Sequence, residues 1–453
     1  MKIIKAKIIE IIKITSICHL DKLLFMLAII VFLIGSTVRF GKKKVIEAKK
    51  PVTLVFSQWW QDELEQNTLS AIIAEFEKIN PGIKIQLDNR SYHEMENMIL
   101  NGLNDKIAGF TENFLSADIL ALDPRWLYGL IQNDMLEPLA PYMQKSEFIP
   151  ALQTDGQERV YDEWAFPLVS FMAPLFYNIE VLKDAGFDRP PKNWSDFLHY
   201  ARTITDKDAG RFGTALSLSQ GDPQGVYVDI YSWIWASGTV ILNQGKPNFT
   251  ALSVIETLEF LDNLYMEGLI APDIFLKSRE QKLEEFITGK LGMMIASVQD
   301  IEIVRERMGD AGFGITTIPG PDVYLGKPAF GLTNWYASIS RESKHKDKAW
   351  AFISFLAMKS PFLAAASHAV PGSGNGLEDY LKGDSFYSKA YNIYEGGDGI
   401  QEFAGYPAVH VLDFIVREEL YNMLEWRQDS QATAEAIQRR WEEVFHNALR
   451  FGS

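Results

Sequence analysis

Val52-Thr-Leu-Val-Phe-Ser-Gln-Trp-Trp60 opens with a run apolar on both faces, the pattern of a buried parallel strand, and ends in two tryptophans. A helical stretch follows to about Ile79, with Leu69, Ile72, Ile73 and Phe76 on one face, and Asn80-Pro81-Gly82 stops it. Ile83-Lys-Ile-Gln-Leu87 alternates as a half-exposed strand. A helix over 92–108 leads to Ala117-Asp-Ile-Leu-Ala-Leu122, a third buried strand ending at Asp123-Pro124. Strand, helix, strand, helix, strand at this spacing predicts right-handed βαβ units in an open α/β sheet. Ligands of such sheets lie beyond the carboxyl ends of the strands, where Trp59, Trp60 and Asp123 fall.

Beyond Glu163 the pattern restarts. Strands are expected at 166–169, 175–177, 212–216, 291–295, 313–316 and 337–339. Helices are expected at 194–204, 253–267, 347–357 and 431–449, the last with Ala434, Ile437, Trp441, Val444 and Phe445 as its apolar stripe.

The 453 residues carry 44 Lys+Arg against 59 Asp+Glu, a formal net charge of −15. The charge is uneven: residues 1–50 hold 11 basic and 3 acidic residues, so residues 51–453 hold 33 and 56, a net of −23. An acidic body argues against nucleic acid as a partner. Cys18 is the single cysteine, which excludes an intrachain disulfide and a cysteine zinc cage. The seven histidines lie far apart, and no metal or cofactor motif is present. P-loop, dinucleotide and G-x-S-x-G signatures are also lacking, so no catalytic residue is assigned.

Leu23–Val38 is an uncharged run of 16 residues between Lys22 and Arg39. Its length lies between a signal h-region of about 7–15 residues and a span of about 20. Gly35-Ser36-Thr37 matches a cleavage site poorly, which favours a retained anchor over a cleaved signal. Residues 1–22 then form a basic cytoplasmic segment, 23–38 the transmembrane helix or signal, and 39–51 a linker to an extracytoplasmic body.

Eleven tryptophans are present, several away from helical stripes. Trp194, Trp350 and Trp441 fit helix cores. Trp59/Trp60, Trp233/Trp235 and Trp335, with Tyr336 after Gly331-Leu-Thr-Asn334, occupy loop or strand-end positions. These can be core residues or the walls of a cleft, and their placement leans to the cleft. Aromatic faces stack on the C–H face of a sugar ring while a few fixed polar groups bond its hydroxyls.

Ordered segments along the chain resemble those of the extracellular solute-binding proteins, family 1, of bacterial ABC importers, the carbohydrate-type, maltose-binding-protein-like group. They include Phe76-Glu-Lys-Ile-Asn-Pro-Gly-Ile-Lys-Ile85, Ala117–Pro124, Leu136-Glu-Pro-Leu139, Leu182-Lys-Asp-Ala-Gly-Phe187, Phe286-Ile-Thr-Gly-Lys-Leu-Gly-Met-Met294 and Ala349-Trp-Ala-Phe-Ile-Ser-Phe-Leu356. The resemblance implies a two-lobed periplasmic-binding-protein (type II) α/β fold with a hinge. Lobe I would comprise 52–165 with 335–370, and lobe II 166–334 with 371–453. A sugar or oligosaccharide would be captured between them and delivered to the permease subunits of an ABC importer, the binder being a monomer tethered to the cytoplasmic membrane through 23–38. A ligand sensor for a membrane signalling partner and a carbohydrate-active enzyme are the alternatives on this scaffold.

By matching segments, the resemblance also assigns ligand contacts to Asp123, Arg125, Gln58, Trp60, Ser170, Phe171 and Trp233. Gln299 and His410 stand where the maltose binders have stacking tryptophans, two departures that weigh against maltodextrin itself. An insertion between Tyr391 and Tyr406 departs as well, with Tyr406 placed to close the pocket.

Overall fold

A computed structural model describes residues 50–64, 67–107, 116–146, 163–221, 224–243, 246–372, 382–403 and 409–451. The basic segment and apolar run expected over 1–38 lie outside the described residues, as does Tyr406. Among the described residues no single helix is long and apolar enough to cross a membrane.

The body from Thr53 onward is one compact unit built on two larger sheets, and it also carries a two-stranded ribbon of Leu242–Asn243 with Lys246–Pro247. Its strands are β1 (Val52–Gln58), β2 (Ile83–Asn89), β3 (Ile119–Leu122), β4 (Ala165–Met172), β5 (Leu175–Asn178), β6 (Met293–Ile295), β7 (Phe313–Thr316), β8 (Ala329–Ile339), β9 (Val370–Pro371) and β10 (Asp398–Ile400). The first sheet runs β9-β4-β8-β3-β1-β2, with β10 added to β8; the second runs β6-β5-β7. β1 and β3 are parallel, as a βαβ connection requires, whereas β8 lies antiparallel to both β3 and β4. Asp118 secures the start of β3 by accepting bonds from Val55 N–H at 3.0 Å and Ser343 Oγ–H at 2.6 Å.

Helix α1 (Thr68–Ile79) buries Leu69, Ile72, Ile73 and Phe76, the stripe expected from 3.6-residue spacing. Phe76 meets Phe352 and Phe355 of a later helix, Lys346–Met358, at 5.0 and 5.4 Å between ring centroids. In the other half, helix α2 (Trp194–Ile204) starts at Asn193, whose side chain accepts the Asp196 N–H, and it turns Phe197 onto Trp233. Helices Leu252–Met266, Val409–Trp426 and Ser430–Phe451 complete that core around Leu258, Leu261, Leu420 and Trp441.

The strand expected at 212–216 is not formed. Phe212 and Thr214 make only isolated bridges, to Leu291 and Ile270. The reason is steric and polar at once: Gly213 lies so close to Ala201 of α2 that a Cβ would stand 2.5 Å from its Cα, and Gly213 N–H bonds the Thr205 hydroxyl instead of a ladder partner.

Between the second sheet and helix Arg279–Ile287 lies a buried ion pair. Lys282 Nζ donates to both oxygens of Asp229 at 2.7 Å and to Ile295 C=O at 3.0 Å, and Ser217 donates twice more to Asp229. Both charges are almost fully buried, so removing one strands the other. Lys282→Met is therefore expected to lower the unfolding free energy by about 3–5 kcal/mol, measured by urea denaturation. Adding Asp229→Leu to it should recover part of that loss.

Candidate functional site

Where the two sheets meet, β4 hands the chain to β5 after Met172 and β8 carries it back. A cleft of about 250 Å³ opens there. Its walls are aromatic: Trp59 after β1, Phe171 on β4, Trp335 on β8, Tyr92 after β2, and Tyr227 and Phe403 from the second half. Trp335 meets Phe171 edge-on at 5.3 Å, and Trp59 packs edge-on against Tyr92 at 5.4 Å.

One wall carries a charged clamp. Arg125 grips Asp123 through Nε and Nη2 at 2.9 and 3.0 Å, and its Nη2 also donates to the Tyr92 hydroxyl at 2.7 Å. Tyr92 in turn donates to Asp123 Oδ2 at 3.2 Å. Burial works to raise the Asp123 carboxyl, but the Arg125 charge together with the hydrogen bonds from Arg125 and Tyr92 outweighs it and holds the group below its ordinary range. Arg125 is raised by the same partner, and burial beside Asp123 pushes the Tyr92 hydroxyl up. The clamp is thus a fixed dipole with no net charge, presenting a carboxylate edge and a guanidinium edge.

The opposite wall is polar and incompletely bonded. Asn334 donates to the Tyr336 hydroxyl at 3.2 Å, which donates to Gln401 Oε1 at 3.1 Å. Three buried atoms of cleft residues make no hydrogen bond of full geometry: Asn334 Oδ1, Gln401 Nε2 and Asp413 Oδ1. Orphan donors and acceptors of this kind are rare in folded proteins, and here they gather around one cleft.

Gln401 and Phe403 are positioned by the residue between them. Glu402 turns away from the cleft and accepts from Trp235 Nε1–H at 2.7 Å and from the N–H groups of Ile241 and Leu242 at 2.8 Å each. Burial pushes its carboxyl up to about 7 in spite of these donors. Tyr227 sits on a π-helical turn, Tyr227–Tyr231, a geometry that often marks a functional site, and its hydroxyl donates to Leu332 C=O at 2.7 Å. Gly331 makes the approach possible: a Cβ there would stand 2.3 Å from the Trp235 ring.

A second cavity of about 360 Å³ adjoins the first, sharing Glu63, Gln224, Ser297 and Gln299 with it. Its far end is charged and hydroxylic, formed by Ser217, Ser278, Lys282 and the Arg279–Asp300 pair.

Of the residues assigned from sequence, Trp59, Asp123, Arg125, Phe171, Gln299, Asn334 and Trp335 line the cleft. Gln58, Trp60, Ser170, Trp233 and Trp235 do not, and each correction has a physical cause. Gln58 is buried, bonding Asn89 and the Gln61 N–H, so it shapes the turn that carries Trp59. Trp60 stacks behind Trp335 at 5.1 Å and 10°. Ser170 pairs across β4 with Asn334 and Val370 and is fully buried. Trp233 packs on Phe197 and Phe260, and Trp235 stands behind Tyr227 at 4.9 Å, tied to Glu402. His410 lies in helix Val409–Trp426, its side chain outside the described residues.

Tyr92, Tyr227, Gln401, Phe403 and Asp413 were not read from the sequence. Tyr92 follows the end of β2, the same strand-end rule that selects Trp59. Tyr227 belongs to the Tyr231-Ser-Trp-Ile-Trp235 neighbourhood, but the π turn changes which residues face the cleft. Among the described residues no group of His, Cys, Asp or Glu is arranged to hold a metal ion.

The comparisons with known proteins agree with this architecture. A binding protein of Brucella abortus (strain 2308) is 27% identical over 293 residues, 63% of this chain and 67% of the relative. A Deinococcus radiodurans protein named for an ABC transporter-binding role is 21% identical over 293 residues, 61% and 68% of the two chains. Among solved structures, the sugar-binding protein MalE of Xanthomonas citri superposes with a TM-score of 0.70 at 19% identity, covering 87% of this chain and 98% of that one. The GacH receptor of Streptomyces glaucescens, solved unliganded and with acarbose, gives 0.67 at 18% identity over 88% and 100%. The model of the bacterial extracellular solute-binding proteins matches residues 61–359, most of the body, and the chain belongs to that family.

Proposed function

We propose that this protein captures a sugar or oligosaccharide between two lobes, 52–165 with 335–370 and 166–334 with 371–453, and delivers it to an ABC importer. The observation that carries the reading is the pairing of aromatic walls with orphan polar atoms. Trp59, Phe171, Tyr227, Trp335 and Phe403 offer rings to the apolar faces of a sugar, while Asn334 Oδ1, Gln401 Nε2 and Asp413 Oδ1 offer bonds to its hydroxyls. The adjoining cavity extends the path beyond one ring, which favours an oligosaccharide over a monosaccharide. The protein binds without turnover, as a monomer. The apolar run 23–38 and its basic flanks support a tether to the cytoplasmic membrane, which would hold the binder at high local concentration beside its permease.

Intrinsic tryptophan fluorescence of the full chain in mild detergent, titrated with mono- and oligosaccharides, tests this reading. A saturable change, with the sugar recovered intact by mass spectrometry, supports it; no response to any sugar sinks it, and cleaved sugar replaces it with an enzyme. Trp335→Ala and Trp59→Ala should each weaken binding by about 10–100-fold, since each removes a wall ring, an aromatic contact of about 1.5–3 kcal/mol. Trp233→Ala should instead lower stability by about 3–5 kcal/mol, read by urea denaturation, because its ring fills a core.

Glu402 sets a pH dependence. Its folded pKa, about 7, lies above the unfolded value of 4.5, so between these two the unfolded chain has lost a proton that the folded one keeps. Its contribution is greatest below the unfolded value and declines as pH rises to about 7. The melting temperature of the wild type relative to Glu402→Ala should therefore be higher at about pH 5 than at about pH 7.5. An unchanged difference across that range would remove the argument.

A further inference from the structure

We propose that the cleft selects sugars bearing a free amino group and that Asp413 is the residue that recognises it; this rests on the sugar-binding reading above. Asp413 projects from helix Val409–Trp426 into the cleft, and its buried Oδ1 makes no hydrogen bond of full geometry, only a weak one with the Tyr231 hydroxyl. It makes no ion pair among the described residues. The two cations within electrostatic reach are otherwise engaged. Arg125 is held bidentate by Asp123 and bonds Tyr92, while Arg417 directs Nη1 to Ser219 C=O at 3.4 Å and lies over the Phe414 ring. The Tyr231 hydroxyl faces Asp413 from the second half and likewise lacks a hydrogen bond of full geometry.

The cleft thus contains a clamp with no net charge and a carboxylate with no counter-charge. Glu63 on the rim adds negative charge. An anionic sugar meets repulsion here. A neutral hydroxyl satisfies the orphan oxygen with an ordinary hydrogen bond. An ammonium group satisfies it with a charge-assisted one, roughly twice as strong, and supplies the missing positive charge. The walls act in the same direction, because the faces of Trp59, Tyr227, Trp335 and Phe403 attract a cation through the ring quadrupole. Burial also pushes the Asp413 carboxyl up to about 6, against the lowering effect of the Tyr231 hydroxyl, Arg125 and Arg417.

Isothermal titration calorimetry of the full chain with matched ligands decides the matter. Glucosamine, galactosamine and mannosamine are each compared with the parent hexose, and the β-1,4 glucosamine trimer with the β-1,4 glucose trimer. At least one amine is expected to bind about tenfold more tightly than its hydroxyl counterpart, and Asp413→Asn should bring that ratio to about one. Equal affinity within every pair, or a preference that survives Asp413→Asn, overturns the inference while leaving sugar binding intact. Binding of no member of any pair overturns the sugar reading and this inference with it.

If Asp413→Asn does not fold, the wild type serves at two pH values. Tyr227 and Tyr231 from the 227–236 segment, Arg125 from the loop after β3 and Arg417 on the same helix are the groups facing Asp413. With the carboxyl ionised at pH 7 and protonated at pH 5, the amine should bind more weakly at the lower pH and its parent hexose unchanged. A flat amine profile overturns the inference.

Discussion

β4 and β8 pair antiparallel through seven residue pairs from Leu332↔Met172 to Ser338↔Ala165, and the cleft depends on that ladder. β4 is buried along its whole length and passes directly into β5 of the second sheet. Phe171 from one strand and Leu332 to Trp335 from the other are thereby fixed at the junction of the sheets. The register shifts between Trp335 and Tyr336, a bulge that re-aims side chains where the site needs both a ring and a hydroxyl chain. Without this pairing the tryptophan walls and the Asn334–Tyr336–Gln401 chain would have no common frame.

Around that frame the charges are divided between structure and ligand. Two arrangements are closed. Asp229–Lys282 is fully buried and saturated by Ser217 and Ile295, and Asp123–Arg125 is cross-linked by Tyr92. Asp413 is open: it forms no ion pair among the described residues, and its Oδ1 makes no hydrogen bond of full geometry. A closed pair gives a cleft direction, because losing either partner would leave the other charge buried and uncompensated. An open carboxylate gives selectivity, because its desolvation is recovered only when the correct partner enters. The difference follows from position: Asp229 lies between the second sheet and helix Arg279–Ile287, whereas Asp413 lines the cleft.

The fold was legible where one period dominated. The doubly apolar Val52–Phe56 and the alternating Ile83–Leu87 became β1 and β2, and helix Trp194–Ile204 falls where its stripe places it. Only 337–339 of the eleven-residue β8 was read as strand. Its first half, Ala329-Phe-Gly-Leu-Thr-Asn334, contains Gly331 and Asn334, which local propensity disfavours and the site requires. Helix Val409–Trp426 carried a readable stripe in Leu412, Val416, Leu420 and Met423, and its neglect hid Asp413. Phe212–Leu216 looked like a strand by composition, but packing of Gly213 on α2 decided otherwise.

For the aromatic residues the limit was more basic. Sequence position identifies a tryptophan near a strand end, but it does not distinguish the ring that faces ligand from the ring behind it. Trp59 and Trp60 are adjacent, and both are at most 3% exposed, yet only Trp59 lines the cleft. The same layering recurs with Tyr227 in front and Trp235 behind. A ring that must present a defined face to a sugar cannot be left to rotate, and a second ring packed against it restricts it without adding a competing polar group. The rear tryptophans thus restrict the rings in front of them: Trp60 stacks on Trp335, and Trp235 joins Tyr227 to the carboxyl of Glu402 between Gln401 and Phe403.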